Sequence, residues 1–161
     1  MFQKQGKKLL SAALCVLSLC FSVQYPQAVG TSAAASILME ADSGRILYAQ
    51  NSDQELGIAS TTKIMTALLV CERCNVLDQM VIPKQAVGIE GSSMYLKEGE
   101  RLTLQELLYG LMLSSGNDAA VALALYCCGS IQEFANLMND KARSLGMTGS
   151  HFENPNGLDS P

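Results

Sequence analysis

Residues 58–67 read IASTTKIMTA, and the chain continues through LLVC to Cys71 in an almost wholly apolar run. A serine and two threonines directly before such a run are typical of a helix start. Ser60 and Lys63 are three residues apart, so a helix would place both side chains on one face. The stretch therefore predicts a buried helix from Ser60 to about Cys71, with Ser60 on its first turn.

The spacing of Ser60 and Lys63 suits a nucleophile and its base. A serine hydroxyl attacks only when a neighbouring group removes its proton, and burial lowers the pKa of a lysine toward the range in which it can do so. A helix start would also direct backbone N–H groups at a developing negative charge. An ordinary exposed lysine is the alternative interpretation, because Ser-x-x-Lys arises by chance about once in a chain of this length.

A second polar motif, Ser115-Gly116-Asn117, lies between two predicted helices. The helix before it should run from about Leu104 to Leu113. The helix after it should have the apolar body Ala119–Cys128, which is typical of a core helix, with Asn117 or Asp118 as its cap. Helix capping is thus an alternative role for Ser115 and Asn117.

The remaining elements alternate between short strands, a loop and one further helix. Capping-box spacing starts two of the helices, at Thr103 with Glu106 and at Ser130 with Glu133. The predicted elements are a hairpin of Ser36–Glu40 and Arg45–Gln50, a strand at Met80–Pro83, a loop at Gly88–Glu100 and a helix from Ser130 to Gly146.

The first thirty residues have the composition of a secretory signal. Three lysines precede the apolar run Leu9–Val23, and small residues suited to cleavage follow between positions 28 and 35. A retained membrane anchor is the alternative. Removing residues 1–30 takes three lysines and no acid, which changes the formal charge from −4 to −7. That charge argues against nucleic acid as a partner.

Four cysteines remain after the signal: Cys71, Cys74, Cys127 and Cys128. Zinc would require a second spaced pair, so no metal site is predicted. A disulfide is a second interpretation, because Ser60 to Cys71 and Asn117 to Cys128 both span eleven residues. Helices that start at one site could then end as neighbours.

Four ordered stretches carry a resemblance to one family. They are Ile58–Ala67, Ser92–Leu96, Leu113–Ala120 and His151–Leu158. From about Ser36 to its end the chain resembles the serine-type D-alanyl-D-alanine carboxypeptidases, which are low-molecular-mass penicillin-binding proteins related in fold to the serine β-lactamases. Ser-x-x-Lys, Ser-Asp-Asn and Lys-Thr-Gly are the signature of that wider group. Gly116 stands where the β-lactamases have aspartate, which favours the carboxypeptidases.

The resemblance implies a fold, a mechanism and partners. The fold would be α/β (α+β) and DD-peptidase-like, with the helical part and the first hairpin present and the sheet incomplete. Ser60 would attack a terminal D-Ala-D-Ala bond of peptidoglycan, Lys63 would be its base, Ser115 would relay a proton to the leaving group and Asn117 would hold the substrate. No cofactor is implied, β-lactams would be inhibitors, and the enzyme would act outside the cytoplasmic membrane.

The third motif of the family, Lys-Thr-Gly, does not occur in these 161 residues. Met147-Thr148-Gly149 comes nearest but lacks the cation. We therefore expect residues 31–161 to be the N-terminal part of a catalytic domain, inactive alone, with any membrane attachment through a further C-terminal segment. A β-lactamase-like hydrolase and a non-catalytic cell-wall-binding remnant are the alternatives. His151, the only histidine, is expected to be a hydrogen-bonded turn residue.

Overall fold

The computed structural model describes residues 30–159, and the chain divides into two compact units after Ser52. The first unit contains the predicted hairpin, in which β1 (Ser36–Met39) pairs antiparallel with β2 (Ile46–Gln50). The predicted signal sequence falls almost wholly outside the described residues and stays a prediction.

The turn of the hairpin forms at the predicted Asp-Ser-Gly sequence. Gly44 has a φ of +70°, a left-handed conformation that glycine adopts without steric cost. Its N–H donates to the Glu40 carbonyl, and the Glu40 N–H donates to the Arg45 carbonyl, both at 2.9 Å. These bonds close the turn and fix the strand register.

The second unit is built on four α-helices. They are α1 (Thr62–Arg73), α2 (Leu104–Leu113), α3 (Asn117–Cys128) and α4 (Ile131–Ser144). The first eight residues of α3 are all buried, and each of the other three helices packs against it. This confirms the prediction that the apolar helix lies in the core. Its neighbours contribute fully buried Leu69, Leu107, Leu111 and Phe134, each worth about 1.5–3 kcal/mol of burial.

A capping box explains why α2 begins at its predicted residue, Leu104. The Thr103 hydroxyl accepts from the Glu106 N–H at 3.2 Å, and the Glu106 carboxylate accepts from the Thr103 N–H at 2.8 Å. Thr103 also ends β4 (Arg101–Thr103), which pairs antiparallel with β3 (Gln79–Val81). The strand near Met80 was predicted, but its partner was missed because three residues are too few to show an alternating pattern.

Two predicted helix starts are wrong in detail. Ser60 lies on a short 3-10 turn, Ala59–Thr61, and α1 begins only at Thr62. The N-cap of α3 is Gly116, and neither Asn117 nor Asp118 provides that cap. The physical reason is that both side chains form hydrogen bonds with the loop 88–100, which precedes α2.

The four described cysteines are free thiols, so the disulfide considered above is not formed in this structure. The helix ends do meet, because the thiol of Cys127 lies close enough to that of Cys74 to influence its ionisation. Burial, and then this contact, raises the pKa of Cys127 to about 12. Cys127 is therefore a protonated thiol at neutral pH.

Among residues 30–159, no single helix has the length and hydrophobicity of a membrane span. The pair α3 and α4, bent by 85° at their junction, meets the criterion only when the two are taken together.

Candidate active site

The candidate nucleophile, Ser60, is exposed on its 3-10 turn. Ala59, directly before it, has a φ of 44°, which is unfavourable for a residue with a side chain. The backbone of Gly157 approaches this residue so closely that a Cβ at position 157 would overlap the Ala59 carbonyl. The left-handed turn before Ser60 is thus held against a loop that lies almost a hundred residues downstream.

Lys63 lies beneath Ser60 and is 3% exposed. Its Nζ is 3.2 Å from the Ser60 hydroxyl oxygen and donates to the Asn156 carbonyl at 2.9 Å. Burial lowers the pKa of Lys63 from its ordinary value. The alternative interpretation, an ordinary exposed lysine, therefore does not hold, and the amine lies where it could take the Ser60 proton.

Ser115 reaches the same hydroxyl from the second motif. Its Oγ donates to Ser60 Oγ at 3.0 Å. Ser115 has a φ of 53°, and the next residue, Gly116, donates its N–H to the Gly110 carbonyl at the end of α2. This sharp turn between α2 and α3 directs the Ser115 side chain toward Ser60.

Asn117 is 5% exposed and is the first residue of α3. Its Nδ2 donates to the Glu90 carbonyl at 2.7 Å, and its backbone N–H donates to the Ser92 carbonyl at 2.7 Å. Gly91 makes the approach feasible, since a Cβ there would lie 2.8 Å from Asn117 Nδ2. Within residues 30–159 the Asn117 Oδ1 has no hydrogen-bond partner.

The loop that follows α4 supplies a part of the site that the sequence did not assign. The Asn156 carbonyl accepts a hydrogen bond from Lys63, and the neighbouring Pro155 carbonyl accepts one from the Thr66 hydroxyl at 2.7 Å. The Asn154 side chain accepts from the Gly157 N–H at 2.7 Å and so closes the loop on itself. The Asn-Pro-Asn-Gly sequence was the available signal, because it is rich in turn residues.

His151 is exposed and has no hydrogen bond to any residue in the range 30–159, so the expected hydrogen-bonded turn histidine is not found. It lines a groove of about 580 Å³ that also includes Ile58, Ala59 and Leu158 and so ends beside the Ser60 turn. In the described part of the chain, no three His, Cys, Asp or Glu side chains are grouped as metal ligands.

The three side chains Ser60, Lys63 and Ser115 can support acyl transfer. A lysine amine that has lost its proton can accept one from a hydroxyl 3.2 Å away. Hydroxyl hydrogens rotate, so Ser115 can pass a proton onward from the same position. The Thr61 N–H is bonded to Ile58 O, whereas the Ser60 N–H has no partner among the described residues and could donate to an oxyanion.

Comparison with known proteins identifies the family. Residues 22–161 match the family model described as D-alanyl-D-alanine carboxypeptidase. The chain is 41% identical over 131 residues to the D-alanyl-D-alanine carboxypeptidase DacF of Bacillus subtilis, covering 78% of this chain and 34% of that protein. It is 38% identical over 149 residues to DacC of Escherichia coli, covering 86% of this chain and 37% of that protein.

Solved structures give the same result. The fold superposes on the D-alanyl-D-alanine carboxypeptidase DacD from Francisella tularensis with a TM-score of 0.81 and 35% identity, over 86% of this chain and 35% of that one. Penicillin binding protein 6B from Escherichia coli gives 0.74 and 34%, over 87% and 49%. This confirms the predicted DD-peptidase-like fold with a partial sheet. The chain spans about a third of the length of these curated relatives, and it belongs to the D-alanyl-D-alanine carboxypeptidase family.

Proposed function

We propose that the protein to which this chain belongs is a serine-type D-Ala-D-Ala carboxypeptidase that acts on peptidoglycan stem peptides outside the cytoplasmic membrane. The observation that carries the proposal is the placement of the Ser60 hydroxyl 3.2 Å from the amine of buried Lys63 and 3.0 Å from the hydroxyl of Ser115. Membership of the family supports the reaction class.

In the first half of the proposed reaction, Ser60 Oγ attacks the carbonyl carbon of the terminal D-Ala-D-Ala bond while Lys63 takes the hydroxyl proton. The resulting oxyanion is stabilised by backbone N–H groups, of which the Ser60 N–H is one. The C–N bond then breaks as Ser115 donates its hydroxyl proton to the leaving amine of D-alanine and takes up the proton held by Lys63, which leaves Lys63 neutral again. An ester between Ser60 and the shortened peptide remains.

In the second half, water adds to that ester. Lys63 again serves as the base, the proton returns to Ser60 Oγ, and the shortened peptide leaves with a new carboxylate. Asn117 would hold the peptide through its Oδ1 and its second N–H, because its other N–H is held by Glu90. No metal or cofactor takes part in this scheme.

We further propose that residues 31–161 alone do not complete this reaction. The family's Lys-Thr-Gly motif, whose lysine would bind the substrate carboxylate, does not occur in the 161 residues. The described sheets have two strands each, whereas an isolated two-stranded sheet is marginally stable. A peptide ending in D-Ala-D-Ala, mixed with purified residues 31–161, should therefore release no D-alanine.

Labelling by a fluorescent penicillin tests the assignment in the full-length protein. We expect covalent labelling that survives denaturation, loss of the label in Ser60→Ala, and retention in Ser150→Ala, which changes an exposed serine that has no assigned role in the reaction. Unchanged labelling of Ser60→Ala would refute the role of Ser60. A label that is rapidly turned over would favour the β-lactamase-like alternative, and absence of any label in the wild type would favour the non-catalytic one.

A further inference from the structure

Asp118 is a buried carboxylate that the proposed reaction does not use. It is 1% exposed at the start of α3, directly after Asn117. A carboxylate so deeply buried is costly unless it is fully hydrogen-bonded, so its partners identify what it does.

Four donors surround the Asp118 carboxylate. Oδ2 accepts from the Ser93 hydroxyl at 2.6 Å and from the Leu96 N–H at 3.0 Å. Oδ1 accepts from the Met94 N–H and the Ala119 N–H, both at 2.9 Å. Burial alone would raise the pKa of Asp118, but these hydrogen bonds outweigh it and leave the pKa below its ordinary value. The side chain is therefore an anion at neutral pH.

Three of the four donors belong to the loop segment 93–96, which lies just after the two carbonyls that hold Asn117. The same loop thus binds α3 at two adjacent points. Asn117 donates to Glu90 O and to Ser92 O, and the Asp118 carboxylate fastens the segment that follows. If segment 93–96 were released, the carbonyl that orients the Asn117 amide would no longer be fixed.

The glycine of the second motif fits this arrangement. A Cβ on Gly116 would lie 3.0 Å from Asp118 Oδ1 and 3.2 Å from the Met94 side chain. The space that a side chain at position 116 would need is therefore filled by the Asp118 carboxylate and by the loop that it holds. The turn that carries Ser115 therefore packs directly against the Asp118 carboxylate and the loop segment bound to it.

We propose that Asp118 is the positioning residue of the second motif: by fastening segment 93–96 to the start of α3, it fixes the direction of the Asn117 amide and of the Ser115 hydroxyl. The kinetic part of this inference rests on the proposed function above. Asp118 touches no reacting atom, so it acts only through its neighbours.

The substitution Asp118→Asn tests the proposal with little change of shape. In either orientation, an amide places an NH₂ group against an N–H donor, that of Leu96 or those of Met94 and Ala119. At least one anchoring bond is then lost. Displacements of about 1 Å in an active site cost on the order of 10²-fold in rate. We expect the penicillin acylation rate constant of the full-length protein, per titrated site, to fall by about 10- to 100-fold.

The matched control is Asp140→Asn, which changes an exposed aspartate on α4 and should leave the rate unchanged. A double-mutant cycle with Asn117→Ala separates positioning from general damage. Asp118→Asn should lower the rate less in the Asn117→Ala background than in the wild type, because residues that act as a unit are not additive. An unchanged rate in Asp118→Asn, or an equal fall in both backgrounds, would overturn the proposal.

Amide hydrogen exchange gives a second readout that does not depend on activity. In Asp118→Asn, protection of the Asn117 amide and of the Leu96 or the Met94 amide should fall, while that of Leu123, in the core of α3, stays unchanged. Unchanged protection at Met94, Leu96 and Asn117 would overturn the positioning role whether or not the wild type is acylated. Absence of acylation in the wild type would refute only the proposed function. If Asp118→Asn fails to fold, Ser93→Ala removes one donor and should give a smaller fall in both measurements.

Discussion

At the scale of single residues, the candidate site depends on the burial of the Lys63 amino group. Lys63 is 3% exposed, and burial lowers its pKa. Because the folded pKa lies below the unfolded value, a charged Lys63 destabilises the fold at pH values below the folded pKa. This cost is relieved as the pH rises toward the unfolded pKa. The neutral amine that the proposed reaction requires is therefore obtained at the expense of stability.

The substitution Lys63→Arg should remove the base while keeping the positive charge. Penicillin acylation of the full-length wild type should rise with pH as Lys63 loses its proton, through a pKa below the ordinary lysine value. Arginine stays protonated throughout the accessible pH range, so acylation by the variant should be about 10²- to 10⁴-fold slower and should not recover at high pH.

Lys84→Arg is the matched control, because Lys84 is exposed on a separate 3-10 turn, and it should keep the wild-type pH profile. Recovery of Lys63→Arg at alkaline pH would show that another group is the base.

At the scale of elements, the turn before Ser60 and the loop after α4 are held together by one close backbone approach. Gly157 has a φ of +79°, and a Cβ there would overlap the Ala59 carbonyl. Gly157→Ala should lose roughly 1–2 kcal/mol for the left-handed backbone and a further 1–3 kcal/mol for the overlap.

Gly99→Ala provides a close control, because Gly99 has a φ of +80° with nothing within 4 Å of its Cβ position. It should lose only the first contribution to the free energy of unfolding, as measured in urea. Equal losses in the two variants would show that the close approach is unimportant.

The sequence predicted the elements whose signals lie in neighbouring residues. It missed the contacts between residues that are far apart in the chain. The start of α2 followed from Thr103 and Glu106, which cap the helix within four residues. The left-handed conformations of Ala59 and Ser115 had no sequence signal, because neither is a residue type that favours positive φ. The grouping of Ser60, Lys63 and Ser115 was predicted from motif spacing and the family resemblance, whereas the Asn156 carbonyl was missed because main-chain atoms leave no mark in a motif.

At the scale of the whole molecule, the outer face of α1 is apolar yet exposed. Ile64 is 61% exposed, Leu68 is 37% exposed, and Cys71 follows on the same face one turn later. The opposite face of the helix is buried. Contiguous apolar surface of this kind binds hydrophobic dyes and promotes association.

We expect purified residues 31–161 to bind the dye ANS, and the double variant Ile64→Gln, Leu68→Gln to bind less with an unchanged far-UV circular dichroism spectrum. Leu77→Gln removes a more exposed but isolated leucine and should leave the fluorescence as it was. Equal fluorescence in the double variant and the wild type would mean that the dye binds elsewhere.

The bond between Lys63 and the Asn156 carbonyl joins residues 93 positions apart. At a synthesis rate of about 5–20 residues per second, Asn156 leaves the ribosome roughly 5–20 s after Lys63. Throughout that interval the polypeptide already contains Ser60 and Lys63 but lacks the Asn156 carbonyl that accepts a hydrogen bond from Lys63. The order of synthesis thus keeps the proposed nucleophile and base without one of their buried partners until the loop containing Asn156 has been made.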